Sequence, residues 1–261
     1  MTRKEGADFN GVEYRAASRH QKEWGNRLID DIALRSNERI IDLGCGDGIL
    51  TRRLADLVPN GSVLGIDSSP SMIATAKKLE CGNLRFERLD INDIDFSDVF
   101  DLAFSNAALH WVKDHERLLS NVHRALVKGG KVRFNFAGDG NCMNFFAVGR
   151  EIAALPRYKA YFNNMIWPWF MPSVRDYEAI VRLIGFANYR VWAENADRHF
   201  TEDELVRWID QPSLVPFLAL VDEPDKKPFR DAVVASMINR TMTADGMYFE
   251  TFRRINLLAV K

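Results

Sequence analysis

The sequence predicts an α/β fold: a doubly wound, mostly parallel sheet of seven strands, with a helical, aromatic-rich lid insertion. Three observations support this prediction. Short apolar runs typical of buried strands alternate with amphipathic helical segments from residue 18 to residue 137. The turns between them are short and rich in glycine, proline and asparagine. Beyond residue 137 the alternation stops, and only two further strands are predicted.

The first half of the chain supplies five predicted strands in order. Trp24, Leu28 and Ile32 recur every four residues and predict an amphipathic helix over 18–35. The apolar run RIIDL then enters a glycine-rich turn. The later elements are a helix over 49–57 that ends before Pro59-Asn60-Gly61, a strand over 62–67, a helix from Ser69 through Leu79, a strand over 83–90, a strand over 101–105, a helix over 114–127 that ends at Gly129-Gly130, and a strand over 131–137.

The second half has a different pattern. Residues 138–172 are predicted to be irregular, followed by a helix over 173–184 and a strand over 189–193. Helical segments over 201–243 are interrupted by prolines, and the last fifteen residues, 247–261, predict a final strand. We therefore expect residues 1–137 to form a ligand-binding core with an N-terminal helix. Residues 138–261 are expected to supply lid segments and the last two strands of the sheet.

Composition excludes several classes of protein. The 261 residues carry 35 Lys+Arg and 36 Asp+Glu, a formal net charge of −1, so no basic field for nucleic acid is expected. No apolar run approaches the length of a membrane-spanning helix, and the N-terminal segment lacks the apolar core of a secretory signal. Cys45, Cys81 and Cys142 are far apart, and His110 and His115 are poorly spaced for one helix face. We expect a cytoplasmic protein without a metal site and without a membrane partner; the oligomeric state is left open.

The glycine turn after the first strand is the strongest motif. In the run IDLGCGDG, glycines alternate at positions 44, 46 and 48, and the acidic Asp42 precedes them on the strand. Glycines allow a sharp strand-to-helix turn and a close approach of a ligand to the main chain. The N-terminus of the following helix offers unpaired amides to an anion. The spacing departs from the G-x-G-x-x-G pattern of nicotinamide dehydrogenases.

Polar residues follow the next three strands at the same predicted edge of the sheet. Asp67 ends the second strand, where a carboxylate can accept hydrogen bonds from both hydroxyls of a ribose. Asp90 ends the third strand, within reach of an adenine amino group, and Asn106 ends the fourth. In an open α/β sheet the carboxyl ends of the strands are where ligands bind.

With these residues the sequence resembles the class I S-adenosylmethionine-dependent methyltransferases. The matching stretches are IDLGCGDG (41–48), GIDSSPSMIATAKK (65–78), RLDIND (88–93) and LVKGGKVRF (126–134), and the resemblance covers about residues 10–136. It implies a Rossmann-like sheet and S-adenosylmethionine as cofactor. It implies that the main chain of Gly44, Cys45, Gly46 and Gly48, with Asp42, contacts the methionine part of the cofactor. The ribose and adenosine would lie at Asp67, Ser68 and Met72, and the adenine at Asp90 and Ile91. The sulfonium would lie near Asn106 and Tyr14.

A narrower resemblance concerns the methyl acceptor. GIDSSPSM and SNAALHWVKDH (105–115) are similar to trans-aconitate methyltransferases, and LHW (109–111) with Tyr14 and Gln21 is similar to juvenile hormone acid methyltransferases. Both kinds of enzyme methylate carboxylates, and a carboxylate is already ionised at neutral pH, so it needs no general base. The resemblance therefore predicts a small acidic acceptor and methyl ester formation.

Three residues are candidates for the catalytic side of the site. Gln21 shares the apolar stripe of the first helix, so its amide either holds the acceptor carboxylate or caps a backbone carbonyl. His110 is either a donor or base toward the acceptor, or a structural histidine. Trp111 is either a pocket wall or a core residue. His115 and His123 are expected to be solvated helix residues.

Aromatic residues are concentrated after the fifth strand. Of the 17 Phe, 6 Tyr and 6 Trp, ten lie between residues 134 and 170. They form either the core of an insertion or an apolar roof over the acceptor, selecting a substrate with an apolar body. Arg150, Arg157 and Arg175 flank the stretch as possible partners of an acid group.

Two other functions stay open at this point. One is methyl transfer to nitrogen, carbon or a hydroxyl oxygen of a small molecule, or to RNA or protein. The segment SNAALHW lacks the Asn/Asp-Pro-Pro-aromatic pattern of amino-group methyltransferases. The other is a cofactor-binding subunit without catalysis, although the cofactor motif is intact.

Overall fold

The structure is a computed structural model that describes residues 19–261, without the side chains of residues 19–21 and 212. The helices and strands are α1 (Arg19–Asp30), β1 (Arg39–Leu43), α2 (Ile49–Leu57), β2 (Ser62–Asp67), α3 (Pro70–Ala76), β3 (Leu84–Arg88), β4 (Phe100–Asn106), α4 (His115–Ala125), β5 (Leu126–Ala137), α5 (Met143–Ala153), α6 (Lys159–Phe162), α7 (Val174–Ile184), β6 (Asn188–Asn195), β7 (Arg198–Phe200), α8 (Glu202–Trp208), α9 (Val215–Leu218), α10 (Glu223–Thr241), β8 (Tyr248–Glu250) and β9 (Arg253–Val260). Short 3₁₀ helices cover Lys77–Leu79, Ile91–Asp93 and Leu109–Trp111, and a π-helical turn covers Ile209–Ser213.

A seven-stranded sheet organises the chain, in the order β3-β2-β1-β4-β5-β9-β6. The pairs from β3 through β5 are parallel, and β9 is antiparallel to β5. From β1 the chain adds β2 and β3 on one side of the sheet, and from β4 it adds β5 on the other side. The β1–α2 and β4–α4 connections therefore lie side by side at the carboxyl edge. The predicted doubly wound, mostly parallel sheet is confirmed.

The sheet is buried on both faces, as parallel sheets require. On one face Ile41, Phe134 and Phe136 pack with α4 and α7, where Leu118 and Tyr177 are fully buried. On the opposite face Ile40, Val63 and Phe104 pack with α1 and α2 through Leu28 and Leu54. Alternate residues of each strand enter different cores, so the period-two pattern of the strands determines which helices each side chain meets.

The chain divides into two compact units. The sheet unit contains residues 19–139, Trp169–Glu194 and Arg254–Lys261. The helical unit contains Gly140–Pro168 and Asn195–Arg253. Among the residues described, no helix is long and apolar enough to cross a membrane.

The helical unit has an aromatic core of its own. Phe145 packs edge-on against Trp208 and Phe217, with ring centroids 5.6 and 6.0 Å apart. Glu250, which is fully buried, accepts hydrogen bonds from the main-chain N–H groups of Asn144 and Phe145 and so caps the first turn of α5. The aromatic-rich stretch is thus divided: Phe134, Phe136, Trp169 and Phe170 belong to the sheet unit, and the other six rings belong to the helical unit.

The flanking arginines of that stretch have partners within the helical unit. Arg150 lies over the Trp167 ring at 4.9 Å. Arg157 binds Asp225 at 2.7 Å, and Tyr161 donates to the other oxygen of the same carboxylate at 2.8 Å. Arg150 and Arg157, two of the three arginines predicted as possible partners of an acid group, therefore have partners within the protein.

Three of the predicted segments are wrong in detail. Residues 138–172 are not irregular, because α5 and α6 form there around buried Phe145 and Val148. The C-terminal segment forms two strands: β8 pairs with β7 in a separate two-stranded sheet, and β9 joins the large sheet. Pro228 lies inside α10, where burial of Phe229, Val233 and Met237 outweighs the lost hydrogen bond.

The predicted end of the fourth helix is also wrong. α4 ends at Ala125, and β5 begins at Leu126 and contains Gly129-Gly130. The β4–β5 register shifts between Phe100 and Leu102, and Gly129 has φ 80°. Gly129 and Gly130 were predicted to end the helix, but they lie in a bulge of β5.

Candidate functional site

The glycine turn joins β1 to α2 at the carboxyl edge of the sheet. Gly44, Gly46 and Gly48 all have positive φ, at 75°, 55° and 80°. A Cβ atom at Gly44 would lie 2.3 Å from the Ala108 Cβ, and one at Gly48 would lie 2.7 Å from the Phe86 ring. At Gly46 a Cβ atom would meet no atom of the described residues within 4 Å. Two of the glycines are thus required by packing, whereas Gly46 borders space that no described residue fills.

Asp67, at the end of β2, reaches this turn. Its Oδ2 accepts a hydrogen bond from the Gly46 N–H at 3.0 Å, and its Oδ1 accepts one from the Ser69 N–H at 2.9 Å. Burial raises the pKa of this carboxyl, and the backbone hydrogen bonds oppose that rise. The acid predicted to hold a ribose therefore lies directly beside the open position of the turn.

Two predicted residues contribute to the turn from beneath it. The Asp42 side chain, 2% exposed, accepts a hydrogen bond from the Thr51 hydroxyl at 2.7 Å and so ties β1 to α2. Burial raises the pKa of Asp42 to about 7, and the charge of Asp67 adds to the effect. The Cys45 side chain packs in the core with Leu54 and Phe86, and burial raises the pKa of its thiol. The Cys45 side chain is therefore a core residue, and its part in the turn is that of its main chain.

The ends of β2 and β3 form the side of the site predicted for the adenosine. Met72 is buried in α3, and its N–H donates to the Ser69 hydroxyl at 3.3 Å. Asp90 is exposed and caps the next 3₁₀ helix by accepting from the Asn92 N–H at 2.9 Å. The Ile91 Cδ1 lies 3.7 Å from the position a Gly44 Cβ would take, so Ile91 sits beside the glycine turn. Ser68 is exposed next to Asp67.

The end of β4 turns sharply. Ala107 has φ 57°, and its N–H donates to the Asn135 carbonyl at 2.7 Å. This turn places Ala108 against Gly44 and directs the chain into the 3₁₀ helix that carries His110 and Trp111. Asn106, the last residue of β4, is half-buried at this corner.

The His110–Trp111 segment is anchored within the sheet unit. The His110 carbonyl accepts from the Phe170 N–H at 2.8 Å, and the Trp111 ring lies 5.4 Å from the Trp169 ring. Lys113 donates to the Trp169 carbonyl at 2.9 Å. The two segments, 109–113 and 169–170, are thereby held together.

His110 is half-buried, and its Nδ1 has no hydrogen-bond partner among the described residues. Burial lowers the pKa of the imidazole to about 3, and the positive charge of Arg254 contributes. The ring is therefore neutral at physiological pH. An imidazole with so low a pKa is a weak base.

Helix α1 borders the same corner. A Cβ atom at Gly25 would lie 3.0 Å from the Asn106 Nδ2 and 2.1 Å from the Leu50 Cδ1, so α1 passes closely over the end of β4. Lys22 binds Asp47 of the glycine turn at 3.0 Å. Of the predicted residues on this side, Tyr14 lies outside the described residues, and so does the side chain of Gln21.

Sequence reasoning missed the contribution of β9. Arg254, 3% exposed, lies with its guanidinium 4.7 Å from the centre of the Trp24 ring and donates to the Asn135 Oδ1 at 2.8 Å. No local pattern marks Arg254, because its place depends on the antiparallel pairing of β9 with β5. The Lys22–Asp47 pair was also missed, although the position of Lys22 one turn into α1 could have suggested it.

The expectation that His115 is solvated is wrong. The ring is 2% exposed, its Nε2 lies 3.0 Å from the Leu109 carbonyl and its Nδ1 lies 3.3 Å from the Tyr177 hydroxyl. Burial lowers the pKa of His115 to about 4. The helix face that looked polar is covered by α7, so His115 is a neutral core residue under the His110–Trp111 segment. His123 is half-buried. Across the residues the structure describes, no group of three His, Cys, Asp or Glu side chains could hold a metal ion.

The sheet order, the glycine turn and the acid at the end of β2 define a class I S-adenosylmethionine-dependent methyltransferase. Residues 40–130 match the family model described as a methyltransferase domain. The chain is 47% identical to a trans-aconitate 2-methyltransferase of Deinococcus radiodurans, over 85% of this chain and 86% of that protein. It is 33% identical to the enzyme of that name from Methylobacterium nodulans, over 97% and 98%.

A solved structure shows the same fold. Phosphoethanolamine N-methyltransferase 2 of Haemonchus contortus, in complex with S-adenosyl-L-methionine, superposes with a TM-score of 0.61 at 20% identity, over 96% of this chain and 56% of that one. The chain belongs to the methyltransferase family that includes the trans-aconitate 2-methyltransferases. Its cofactor is S-adenosylmethionine, and the resemblance inferred from the sequence motifs is confirmed.

Proposed function

We propose that this enzyme methylates a carboxylate oxygen of a small organic acid in the cytoplasm and produces a methyl ester. S-adenosylmethionine supplies an activated methyl group. The protein's task is then to hold two reactants in line and to exclude water. The similarity to two trans-aconitate 2-methyltransferases, one of them at 47% identity, supports an acidic acceptor.

The protonation state of His110 carries the proposal. Its pKa of about 3 makes the imidazole too weakly basic to remove a proton from a hydroxyl or ammonium group at neutral pH. The Asp42 side chain is 2% exposed and accepts from Thr51, and the Asp67 carboxylate accepts from Gly46 and Ser69. A carboxylic acid with a pKa of about 4 is already ionised and needs no base. The site therefore suits an acceptor that brings its own negative charge.

The residues divide between the two ligands. We assign the main chain of the glycine turn, Asp67, Ser68, Met72, Asp90, Ile91 and Asn106 to the cofactor. Gln21, His110 and Trp111 are assigned to the acceptor, with the neutral His110 ring as a hydrogen-bonding group rather than a base. Trp111, held against Trp169, forms an apolar wall beside it. Tyr14 is assigned to the cofactor by the sequence resemblance alone.

The test is a transfer assay with methyl-labelled cofactor against a panel of mono-, di- and tricarboxylic acids, amines and phenols, followed by mild base treatment of the product. A methyl ester releases its label as methanol in base, and we expect that result only with the acids. A base-stable product shows transfer to nitrogen, carbon or a hydroxyl oxygen and contradicts the proposal. Transfer only to an RNA or protein fraction contradicts the small acceptor.

Binding and turnover are separated by calorimetry with S-adenosylhomocysteine. We expect the wild-type protein to bind it and to turn over at least one acid. Binding without transfer to any acceptor fraction would instead indicate a cofactor-binding subunit.

A further inference from the structure

We propose that His115 is a positioning residue, which holds the 3₁₀ helix Leu109–Trp111 in place for methyl transfer through a hydrogen bond to the Leu109 carbonyl. The His115 ring is buried at the start of α4, so it acts through its neighbours and not on either reactant. This inference rests on the proposed function, which assigns His110 and Trp111 of that helix to the acceptor.

The Leu109 carbonyl determines which ring nitrogen of His115 carries the proton. The His115 Nε2 lies 3.0 Å from this oxygen, and a carbonyl oxygen can only accept a hydrogen bond. In the neutral ring Nε2 is therefore protonated, and Nδ1 accepts from the Tyr177 hydroxyl at 3.3 Å. Burial lowers the pKa of His115 to about 4, so the ring is neutral at physiological pH. One imidazole thus joins the 3₁₀ helix to α7.

The hydrogen bond from His115 acts on the peptide group directly before His110. The Leu109 carbonyl also accepts from the Val112 N–H at 2.9 Å, so both of its lone pairs are used. The C=O of Leu109 and the N–H of His110 belong to one planar peptide group. A hydrogen bond that fixes this carbonyl therefore fixes the plane of the group, and a rotation of the plane would turn the side chains that follow it.

A second contact joins His115 to the same part of the site. Its ring centroid lies 4.5 Å from that of Phe170, and the Phe170 N–H donates to the His110 carbonyl at 2.8 Å. The Phe136 ring of β5 lies 5.4 Å away. His115 therefore contacts both of the segments that are held together here, 109–113 and 169–170.

The imidazole differs from an apolar ring in one respect that matters for orientation. Burial of a polar ring costs free energy unless hydrogen bonds replace those it made with water, and both nitrogens of His115 have such a bond. A phenyl ring would fill the same aromatic surroundings without that cost. What the imidazole adds is a directional bond to the main chain, and satisfied polar contacts in a core specify one arrangement more strictly than apolar packing does.

Methyl transfer depends steeply on the placement of the reactants. A displacement of about 1 Å, caused by a change away from the chemistry, can reduce the rate by about 100-fold. The glycine turn and Asp67, which we assign to the cofactor, are held by hydrogen bonds of their own. Loss of the bond from His115 should therefore impair use of the acceptor and leave cofactor affinity unchanged.

Four variants separate the two hydrogen bonds of the imidazole. His115→Gln places an amide N–H near the position of Nε2, within reach of Leu109. His115→Asn is one methylene shorter and places its amide near the position of Nδ1, toward Tyr177. These two variants lose the same aromatic ring and so form a matched pair. His115→Phe keeps a ring and removes both bonds, and Tyr177→Phe removes only the bond to Nδ1 and is the control within the same core.

The experiment uses the full-length protein. The acceptor is propane-1,2,3-tricarboxylate, or the acid of the panel that the wild type methylates fastest. The transfer assay gives kcat and KM for this acid, calorimetry gives Kd for S-adenosylhomocysteine, and thermal unfolding gives the stability of each variant.

We expect His115→Phe and His115→Asn to lower kcat/KM for the acid by about 10- to 100-fold. His115→Gln should stay within about fivefold of the wild type, because it restores a donor to Leu109, and Tyr177→Phe should stay within about threefold. All four variants should bind S-adenosylhomocysteine within about threefold of the wild type. A similar loss of stability in His115→Gln and His115→Asn would accompany the difference in activity.

Equal kcat/KM in His115→Gln and His115→Asn overturns the inference, because only the longer side chain reaches Leu109. A loss in Tyr177→Phe as large as that in His115→Phe also overturns it, since activity would then follow the integrity of the core. If His115→Phe does not fold, the matched pair decides. Failure of the wild-type enzyme to methylate any acid overturns the proposed function itself, whereas transfer to acids with unchanged kcat/KM in every variant overturns only the role of His115.

Discussion

The carboxylate of Asp67, at the end of β2, accepts a hydrogen bond from the main-chain N–H of Gly46, at 3.0 Å. The same carboxylate accepts from Ser69, so one side chain spans the glycine turn and the start of α3. A half-buried carboxylate in this place both holds the turn in shape and lies beside the open position at Gly46. We therefore expect cofactor binding and the order of the turn to be linked through Asp67.

Replacing Asp67 with Ala tests this link. We expect the affinity for S-adenosylhomocysteine, measured by calorimetry, to fall by about 10- to 100-fold, because hydrogen bonds to a charged group are lost. Asp56→Ala is the control, since Asp56 is exposed and paired with Arg52. Wild-type affinity in Asp67→Ala would remove Asp67 from the cofactor site.

Gly46→Ala separates backbone strain from loss of ligand space. The variant adds a methyl group at φ 55°, and Gly185→Ala adds one at φ 89° beyond the end of α7; at both positions no atom of the part of the chain that the structure describes lies within 4 Å. Both variants should lose about 1 kcal/mol of stability from the left-handed backbone. Only Gly46→Ala should weaken S-adenosylhomocysteine binding, by about tenfold or more, because we assign the main chain at Gly46 to the cofactor and the methyl group would fill the space beside it. Equal affinities in the two variants would show that the ligand does not approach Gly46.

Asp42 makes the folded protein less stable as pH rises. Its pKa is 3.8 in the unfolded chain and about 7 in the fold, so the native state favours the protonated form. The stabilisation is complete below pH 3.8 and is lost as pH rises through about 7. The total loss across this window is about 4 kcal/mol.

Asp42→Asn should remove that fall. We expect urea unfolding at pH 5 and pH 8 to show a smaller loss of stability with rising pH in the variant than in the wild type. Asp95→Asn, at a side chain that is 91% exposed, is the control and should retain the wild-type difference. An identical pH dependence in Asp42→Asn and the wild type would contradict a raised pKa.

His110→Gln tests whether this residue acts as a base. Removal of a general base costs about 10²- to 10⁴-fold in rate. Because the imidazole is neutral with a pKa of about 3, we expect Gln, which also offers a hydrogen-bond donor, to keep kcat within about tenfold of the wild type. His123→Gln, on α4, serves as the control. A loss of a hundredfold or more that hydroxide concentration restores would assign His110 the role of a base.

His115 has the opposite linkage to Asp42. Its pKa is 6.5 when unfolded and about 4 when folded, so its contribution is present above pH 6.5 and is lost as pH falls through about 4. Over this window the wild type should lose about 3 kcal/mol through this group. His115→Gln should be less stable at pH 7, because the contacts to Leu109 and Tyr177 are disturbed, and should lose less on acidification. Urea unfolding at pH 7 and pH 5 measures the stability at pH 7 and its loss on acidification. If His115→Gln and the wild type lose the same stability between these pH values, the acid dependence comes from another group.

Local chemistry made the glycine turn and the acid beside it predictable. Glycines with positive φ and carboxylates at strand ends are needed at particular points of a strand–turn–helix unit, so their positions are visible in a short stretch of sequence. Gly44, Gly46, Gly48 and Asp67 were recognised in this way, and the structure brings them together.

Burial is less visible in the sequence. Cys45 and Asp42 lie in the right motif, yet their side chains face the core beneath the turn. His115 lies on a helix face that looked polar and is covered by Tyr177 of α7. Which face of α4 is covered depends on where α7 packs against the sheet. The hydrophobic periodicity within α4 does not show this.

What the sequence by itself determined is the doubly wound sheet, the glycine turn, the family and the cofactor, since alternating periodicity and turn chemistry are local properties. Only the tertiary structure decided that Arg254 comes to the edge of the sheet beside Asn135, from 119 residues away, and packs near Trp24. The reason is the return of the chain from the helical unit as an antiparallel strand, which sets the register of β9 by packing and hydrogen bonding over its whole length.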